Sequence, residues 1–381
     1  MVRTNPQSLS KHVQLVLLVA TTFLLRILST SSPYYVDGPR HVRAVETGRL
    51  VIHAPGYFLF NLCAWLVSHS LHITAATALE LINIAFSVAA TAVFYLLASR
   101  LLKNTTTPFW LTLAYACSPV VWFSADIHST YAAMTFFAPL LLFLLEAGQG
   151  DGRFVFACFV WALMIGFRPP DGVFVLPWML YQSLRFPVKQ RIAGAIAAAV
   201  VIALWWIPTA HQFGGGLLSP LSQSHTQAAK LAQGVLTGHL TIHAFTNIAH
   251  TLFGITLAWG LLTPALLLGA LRANRDRLAR SITIYIAPGL AFFLLYFFSD
   301  ATYLAYAIAP GMVLAALFLE EKRFALRQHV CPLAAAASLL FMVTARTSDR
   351  PSKPRAVADA YLLQYSVPSL KQTGPTVSQS C

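Results

Sequence analysis

The chain reads as an all-α polytopic membrane protein of about eleven transmembrane helices, with one more helix lying along the interface after the first outer loop. Three observations carry this expectation. The sequence is 57% hydrophobic and 10% charged, with 13 acidic residues in 381. Its mean hydropathy is +0.65. Apolar runs of roughly 17 to 25 residues recur from end to end, the length a helix needs to cross the hydrocarbon core.

The first run, 12–30, has no convincing cleavage site and is followed by many like it, so it reads as a retained helix and not a signal peptide. Further spans are expected at 75–98, 107–124, 130–146, 154–167, 172–185, 192–209, 247–270, 281–298, 302–319 and 329–345. Pro119, Pro139, Pro177, Pro264, Pro288 and Pro310 fall in or near them and predict kinks, which neighbouring helices make tolerable. One membrane domain over 1–346 results, with outer loops at 31–74 and 210–246, the latter holding Gly214-Gly215-Gly216. The polar segment 347–381 reads as a poorly ordered tail, and no large C-terminal soluble domain is expected.

The net charge of +13 follows from membrane topology and does not call for a nucleic-acid partner. With the N-terminus inside, the inner segments hold fifteen Lys and Arg, among them Arg100, Lys103, Arg153, Arg185, Arg272 and Arg277. The outer loops hold five: Arg40, Arg43, Arg49, Arg168 and Lys230. The segment Val51 to Ile73 fits two descriptions. It is apolar enough to span, yet His53, Pro55, Asn61, His69 and His72 favour the interface. A span there would move Asp37 to the cytoplasm.

Ionisable groups collect on one side of this map. Asp37 and Glu46 fall in the first outer loop, Asp126 after the third span, and Glu80 and Asp300 at span starts on the same side. Asp171 reads as an ordinary helix-start residue outside the site. Arg168, Arg40, His41, His53, His128, Tyr57, Tyr131 and Tyr303 lie on the same side. A carboxylate there can take a proton from a hydroxyl, and cations can hold a lipid-linked phosphate. Asp37 before Gly38-Pro39 is also an ordinary turn residue, and Arg168 an ordinary interfacial arginine. Trp122, Trp205 and Trp206 read as interface-belt residues. His239 and His243 have helical metal-pair spacing but no third ligand. The cysteines show no zinc or disulfide pattern.

Several segments resemble the GT-C superfamily of membrane glycosyltransferases, which includes protein O-mannosyltransferases and the bacterial aminoarabinose transferases. Tyr35-Val36-Asp37-Gly38-Pro39 is similar to the family's catalytic aspartate site. His53-Ala54-Pro55-Gly56-Tyr57 resembles its His-Pro-Pro-Gly-Tyr motif, with Ala54 in place of the first proline. Ser118-Pro119 through Asp126-Ile127-His128-Ser129-Thr130-Tyr131, then Gly166-Phe167-Arg168-Pro169, and last Tyr303 to Gly311 resemble later family turns. The resemblance covers mainly 12–186. It implies an interfacial 51–73 and a polyprenyl-phosphate sugar donor. The sugar passes with inversion to a lipid, glycan or protein hydroxyl on the extracytoplasmic face of a bacterial inner membrane. Asp37 is then the base. Arg40, His41, His53, Tyr57, Asp126, His128, Tyr131, Arg168 and Tyr303 bind substrate, with Arg168 and His53 stabilising the departing phosphate. No cofactor is implied, and a divalent cation is left open. The competing reading is a flippase or permease for a lipid-linked sugar.

Overall fold

The computed structural model describes residues 10–29, 37–214, 216–231, 242–297, 301–321 and 327–344. Sixteen α-helices follow in order: α1 (Lys11–Ser29), α2 (Gly38–Thr47), α3 (Phe58–Leu71), α4 (Ala75–Leu101), α5 (Thr107–Cys117), α6 (Pro119–Asp126), α7 (Tyr131–Leu142) and α8 (Arg153–Phe167). After these come α9 (Pro169–Ser183), α10 (Val188–Gln212), α11 (Ser219–Leu231), α12 (Ile242–Trp259), α13 (Thr263–Ala270), α14 (Arg277–Leu295), α15 (Ala305–Glu321) and α16 (Arg327–Thr344). A π-helical turn, Phe143–Ala147, extends α7. Asp300, His239 and the tail 347–381 lie outside the described residues.

The all-helical membrane architecture stands, but the expected spans are not alike. Among the described residues, six segments are long and apolar enough to cross a membrane: Lys11–Ser29, Ala75–Leu101, Val188–Gln212, Ala244–Ala270, Arg277–Leu295 and Ala301–Glu321. The other five expected spans are short or broken. The 107–124 run divides into α5 and α6 at Ser118-Pro119, because proline cannot donate to the helix it would continue. Helices α8 and α9 have 15 residues each, about 22 Å at 1.5 Å per residue, against a hydrocarbon core of about 30 Å. The turn that joins them is therefore recessed at one end of the bundle.

Exposed apolar side chains mark the lipid-facing surface. On α10, Val188, Ile192, Ile196, Val200, Leu204 and Ile207 form one exposed stripe at steps of four and three. The opposite face of α10 packs along α8. Trp122 and Trp205 are buried in the packing and are not belt residues. The indole of Trp205 donates to the Ala162 carbonyl.

The two ends of the bundle differ. At one end Glu146 is fully buried and accepts from Arg185 at 3.1 Å and Arg277 at 3.2 Å, and from Gln182 and Ser281. Nearby, the Glu320 carboxylate accepts the backbone N–H groups of Lys103 and Asn104, both at 3.0 Å. The other end holds Ser29, Glu80, His128, Arg168 and Tyr303. Helix α4 runs from the Glu80 end to the Lys103 end. Helix α3 does not cross. Its start lies against Arg168, through Tyr57, and its finish leads through His72 and Thr74 into the start of α4. Both ends of α3 thus share one face, and Val51 to Ile73 lies along the bundle end.

Helix α2 is an unexpected element within the first loop, as is α11 within 210–246. The start of α2 carries Pro39, whose fixed φ suits a first turn, and Gly48 ends it at φ 68°. Arg26 lies in the last turn of α1 and is fully buried. Its Nε donates to Ser87 Oγ at 2.9 Å and its Nη2 to the Ala116 carbonyl at 2.7 Å. That carbonyl lies in the last turn of α5, at the break before Pro119, so the arginine satisfies a group the break exposes. The Trp122 ring lies 4.8 Å from the same guanidinium. Replacing Arg26 by Leu leaves these acceptors unpaired and is expected to cost about 2–4 kcal/mol. Thermal unfolding in detergent measures this, and the exposed Arg43→Ala serves as the control that leaves stability unchanged.

Candidate functional site

The site is assembled from helix ends and turns. The Ala54-Pro55 peptide is cis, and Gly56 and Tyr57 follow at φ 117° and 55°. A Cβ on Gly56 would lie 2.9 Å from Thr209 Cγ2 of α10, so only glycine lets this turn approach that helix. The turn faces His53 and Tyr57 toward the start of α2. Their rings meet edge to face at 5.3 Å.

Asp37 occupies the N-cap position of α2, but its side chain does not cap the helix. The carboxylate turns instead to an arginine and a histidine. Arg40 Nη1 lies 3.3 Å from Oδ1, and His53 Nε2 lies 3.2 Å from Oδ2. Asp37 and His53 remain about a quarter open, with side chains 22% and 23% exposed, and Arg40 is 54% exposed. Burial pushes the Asp37 carboxyl up, but the His53 hydrogen bond and the charges of His53, His41 and Arg40 outweigh it. The net effect holds Asp37 below the usual carboxylate range. His41 helps only when protonated, and burial keeps its ring neutral near neutral pH.

His41 itself is buried behind this pair. Asn61 donates Nδ2 to the Leu50 carbonyl at 2.7 Å, which turns Asn61 Oδ1 toward His41 Nδ1, also at 2.7 Å. An amide oxygen only accepts, so Nδ1 carries the hydrogen and the neutral ring keeps a lone pair on Nε2. Burial lowers the imidazole to about 4, against a smaller upward pull from Asn61 and Asp37. His128 lies beyond it, buried, with Nε2 at 3.4 Å from Glu80 Oε1.

Arg168 forms the second half of the site, at the recessed turn between α8 and α9. Its guanidinium stacks 4.2 Å from the Tyr131 ring and 5.1 Å from Tyr303, with Tyr57 at 6.0 Å. Its Nε lies 3.1 Å from Asp171 Oδ2. Asp171, an ordinary helix-start residue by its sequence, lies in the first turn of α9, buried, as the partner of Arg168. The i,i+3 spacing of the two was the available signal.

Asp126 closes the far side. Its Oδ1 accepts from Ser29 Oγ at 3.0 Å, and Ser29 in turn accepts from the Trp122 indole at 2.8 Å. This ties Asp126 to α1 and Arg26. Every residue expected at the site therefore falls at one bundle end: Asp37, Arg40, His41, His53 and Tyr57 over Arg168, Tyr131 and Tyr303, with His128 and Asp126 behind. One expectation changes. Both ring nitrogens of His53 are engaged, Nε2 by Asp37 and Nδ1 by the Ala54 carbonyl at 2.8 Å. Neither is left to donate to a phosphate. Among the described residues, no group of three or more His, Cys, Asp or Glu side chains converges as a metal ion would require.

No family model matches the sequence, and no curated protein matches it significantly. Solved structures do match. ArnT from Cupriavidus metallidurans, bound to undecaprenyl phosphate, aligns over 93% of this chain and 71% of its own, with a TM-score of 0.67 at 15% identity. The chain has the GT-C fold. The oligosaccharyltransferase of Archaeoglobus fulgidus in its apo form matches the same GT-C bundle, with a TM-score of 0.54 at 14% identity over 92% of this chain and 56% of that one. Arabinofuranosyltransferase AftD from Mycobacteria gives 0.54 at 15% identity, over 92% and 27%. At these identities the likeness is one of fold.

The buried His41 gives this end of the GT-C bundle a pH dependence. A histidine lowered to about 4 in the folded protein takes up protons less readily than in the unfolded chain, where its value is near 6.5. The stability this contributes is present above pH 6.5 and is lost as pH falls toward 4. The loss should reach about 2 kcal/mol by pH 5. Melting curves in detergent across this interval should show that extra fall in the wild type relative to His41→Gln.

Proposed function

We propose that this GT-C protein is a glycosyltransferase that moves a sugar from a polyprenyl-phosphate carrier to an acceptor hydroxyl, with inversion at the anomeric carbon. The observation that carries the reading is the state of Asp37. It sits at a helix start without capping it and is partly open. Its carboxyl is also held below the usual carboxylate range beside Arg40 and His53, and the turn that carries His53 also carries Tyr57, which meets Arg168. A structural cap would spend its carboxylate on backbone N–H groups.

The acceptor hydroxyl approaches Asp37. Its oxygen attacks the anomeric carbon from the face opposite the phosphate, and the carbon–oxygen bond to phosphate breaks with its electron pair left on the phosphate. Asp37 takes the proton. A carboxylate below its ordinary pKa is a weak base, so the transfer is late: the hydroxyl becomes acidic as the new bond forms. Arg40, the most open cation of the cluster, and Arg168, at the recessed turn, offset the charge that grows on the departing phosphate. Tyr57, Tyr131 and Tyr303 hold the Arg168 plane, and Asp171 fixes its Nε. The lipid carrier lies along the exposed apolar helices, and the acceptor arrives from the extracytoplasmic side. That sidedness rests on the basic residues gathered at the Glu146 and Glu320 end. The ArnT structure, bound to undecaprenyl phosphate, supports a polyprenyl phosphate as the carrier.

Asp37→Asn is expected to lower transfer about a thousandfold, measured in membranes given a panel of labelled polyprenyl-phosphate sugars. Wild-type transfer by this variant would remove the mechanism. Arg40→Gln should mainly weaken use of the donor, with transfer lowered about tenfold to a hundredfold at limiting donor.

A further inference from the structure

The hydrogen-bond parity at His53 requires a proton that the sequence does not reveal. Nδ1 lies 2.8 Å from the Ala54 carbonyl oxygen. A carbonyl only accepts, so Nδ1 carries a hydrogen. In a neutral imidazole this leaves Nε2 as a bare lone pair, 3.2 Å from the Asp37 carboxylate. Two acceptors at that distance repel. Three arrangements remove the conflict: a proton on Nε2, a proton on Asp37, or a metal ion between them.

The surroundings choose among these. A metal ion would have only Asp37 and His53 as ligands, and the Arg40 guanidinium lies 3.3 Å from the other carboxylate oxygen, where it opposes a second fixed cation. A proton on Asp37 is disfavoured by the same guanidinium, because Arg40 stabilises the ionised form. The remaining arrangement is an imidazolium that donates from both nitrogens.

The other charged groups fit it. From α2 come Arg40 and the buried His41, whose ring stays neutral near neutral pH. From the turn before α3 comes Tyr57, with Arg168 and Asp171 paired behind it. His128 stands behind His41 with Glu80 as its partner. Asp37 is the one carboxylate in contact with His53 among the described residues, and Arg40 spends part of its charge on it while remaining mostly in solvent.

We propose that His53 is a positioning residue held as an imidazolium by Asp37, and that this proton orients the carboxylate for the transfer step and sets the alkaline limit of activity. The inference rests on Asp37 as the base. In the resting site the Asp37–His53 pair is neutral overall. As the acceptor proton reaches Asp37 the pair gains one positive charge. The phosphate, changing from diester to monoester, gains one negative charge at the same time. His53 keeps its proton throughout, so its role is electrostatic and geometric. Above the pH at which that proton leaves, the lone pair faces the carboxylate, the pair separates, and Asp37 loses its orientation.

The protonation can be read without any transfer assay. The full-length protein is labelled with nitrogen-15 histidine in detergent micelles, and the His53 signals are assigned by their loss in His53→Gln. Near neutral pH, the wild-type ring should show both nitrogens protonated, and Asp37→Asn should convert it to the single-proton pattern. A bare Nε2 in the wild type, or one pattern in both proteins, overturns the proposal. So does a doubly protonated pattern that appears only after a chelator is added, since a metal then held the pair together. A second arm uses activity. The His53→Gln side chain donates an N–H without titrating, so transfer should stay within about tenfold of wild type and lose the fall at alkaline pH. Loss of all transfer in His53→Gln, or an unchanged alkaline fall, overturns it as well. If Asp37→Asn keeps wild-type transfer, the base assignment fails while the ring protonation still stands or falls on its own spectra.

Discussion

A charge among apolar helices has to be matched by groups the chain itself supplies, and this one constraint arranges the rest of the molecule. Lipid offers neither water nor counter-ions, so an unpaired charge or a free carbonyl costs several kcal/mol. The buried charged groups Arg26, Arg168 and Asp171 therefore sit at helix ends and breaks, with partners. Arg26 takes the Ala116 carbonyl at the α5 break. Asp171 takes Arg168 at the α8 to α9 turn. Glu146 gathers two arginines, a glutamine and a serine at the opposite end. The Asp37 cluster is matched in the same way and remains partly open to solvent.

The same constraint accounts for the recess. Helices α8 and α9 are too short to reach both interfaces, so their turn lies inside the bundle end and carries Arg168 with it. Helices α2 and α3 then lie across that end, not through it, and bring Asp37, His41, His53 and Tyr57 over the turn. A partly open carboxylate, Asp37, and a buried guanidinium, Arg168, are thereby set on one face. This is the geometry a reaction needs when one substrate is anchored in lipid and the other arrives from water.

Much of this was legible in the residues. The long apolar runs identify α1, α4, α10, α14 and α15 to within a few residues, because hydropathy over one membrane thickness is a strong signal. The scarcity of acids drew attention to Asp37. Other features were hidden. Helix α2 is polar and short, and its marks were Asp37 as N-cap and Pro39 in its first turn. The fate of the His53 nitrogens depends on the path of the Ala54-Pro55 turn, which no spacing reveals. The partners of Arg26 lie 61 and 90 residues away in the chain, so no local spacing reveals them. Asp171 was passed over because a helix-start acid is common, and only packing shows that it is buried against an arginine.

The proposed transfer requires the Asp37 end of the bundle to face the extracytoplasmic side and the Glu146 and Glu320 end to face the cytoplasm. Labelling with a membrane-impermeant thiol reagent in intact cells tests it most directly. In a Cys381→Ser background, one variant carries Arg43→Cys on α2 and another carries Lys103→Cys after α4. The account predicts that the position-43 thiol reacts in intact cells and the position-103 thiol reacts only after permeabilisation. The reverse pattern, or both thiols reacting from the same side, would contradict it.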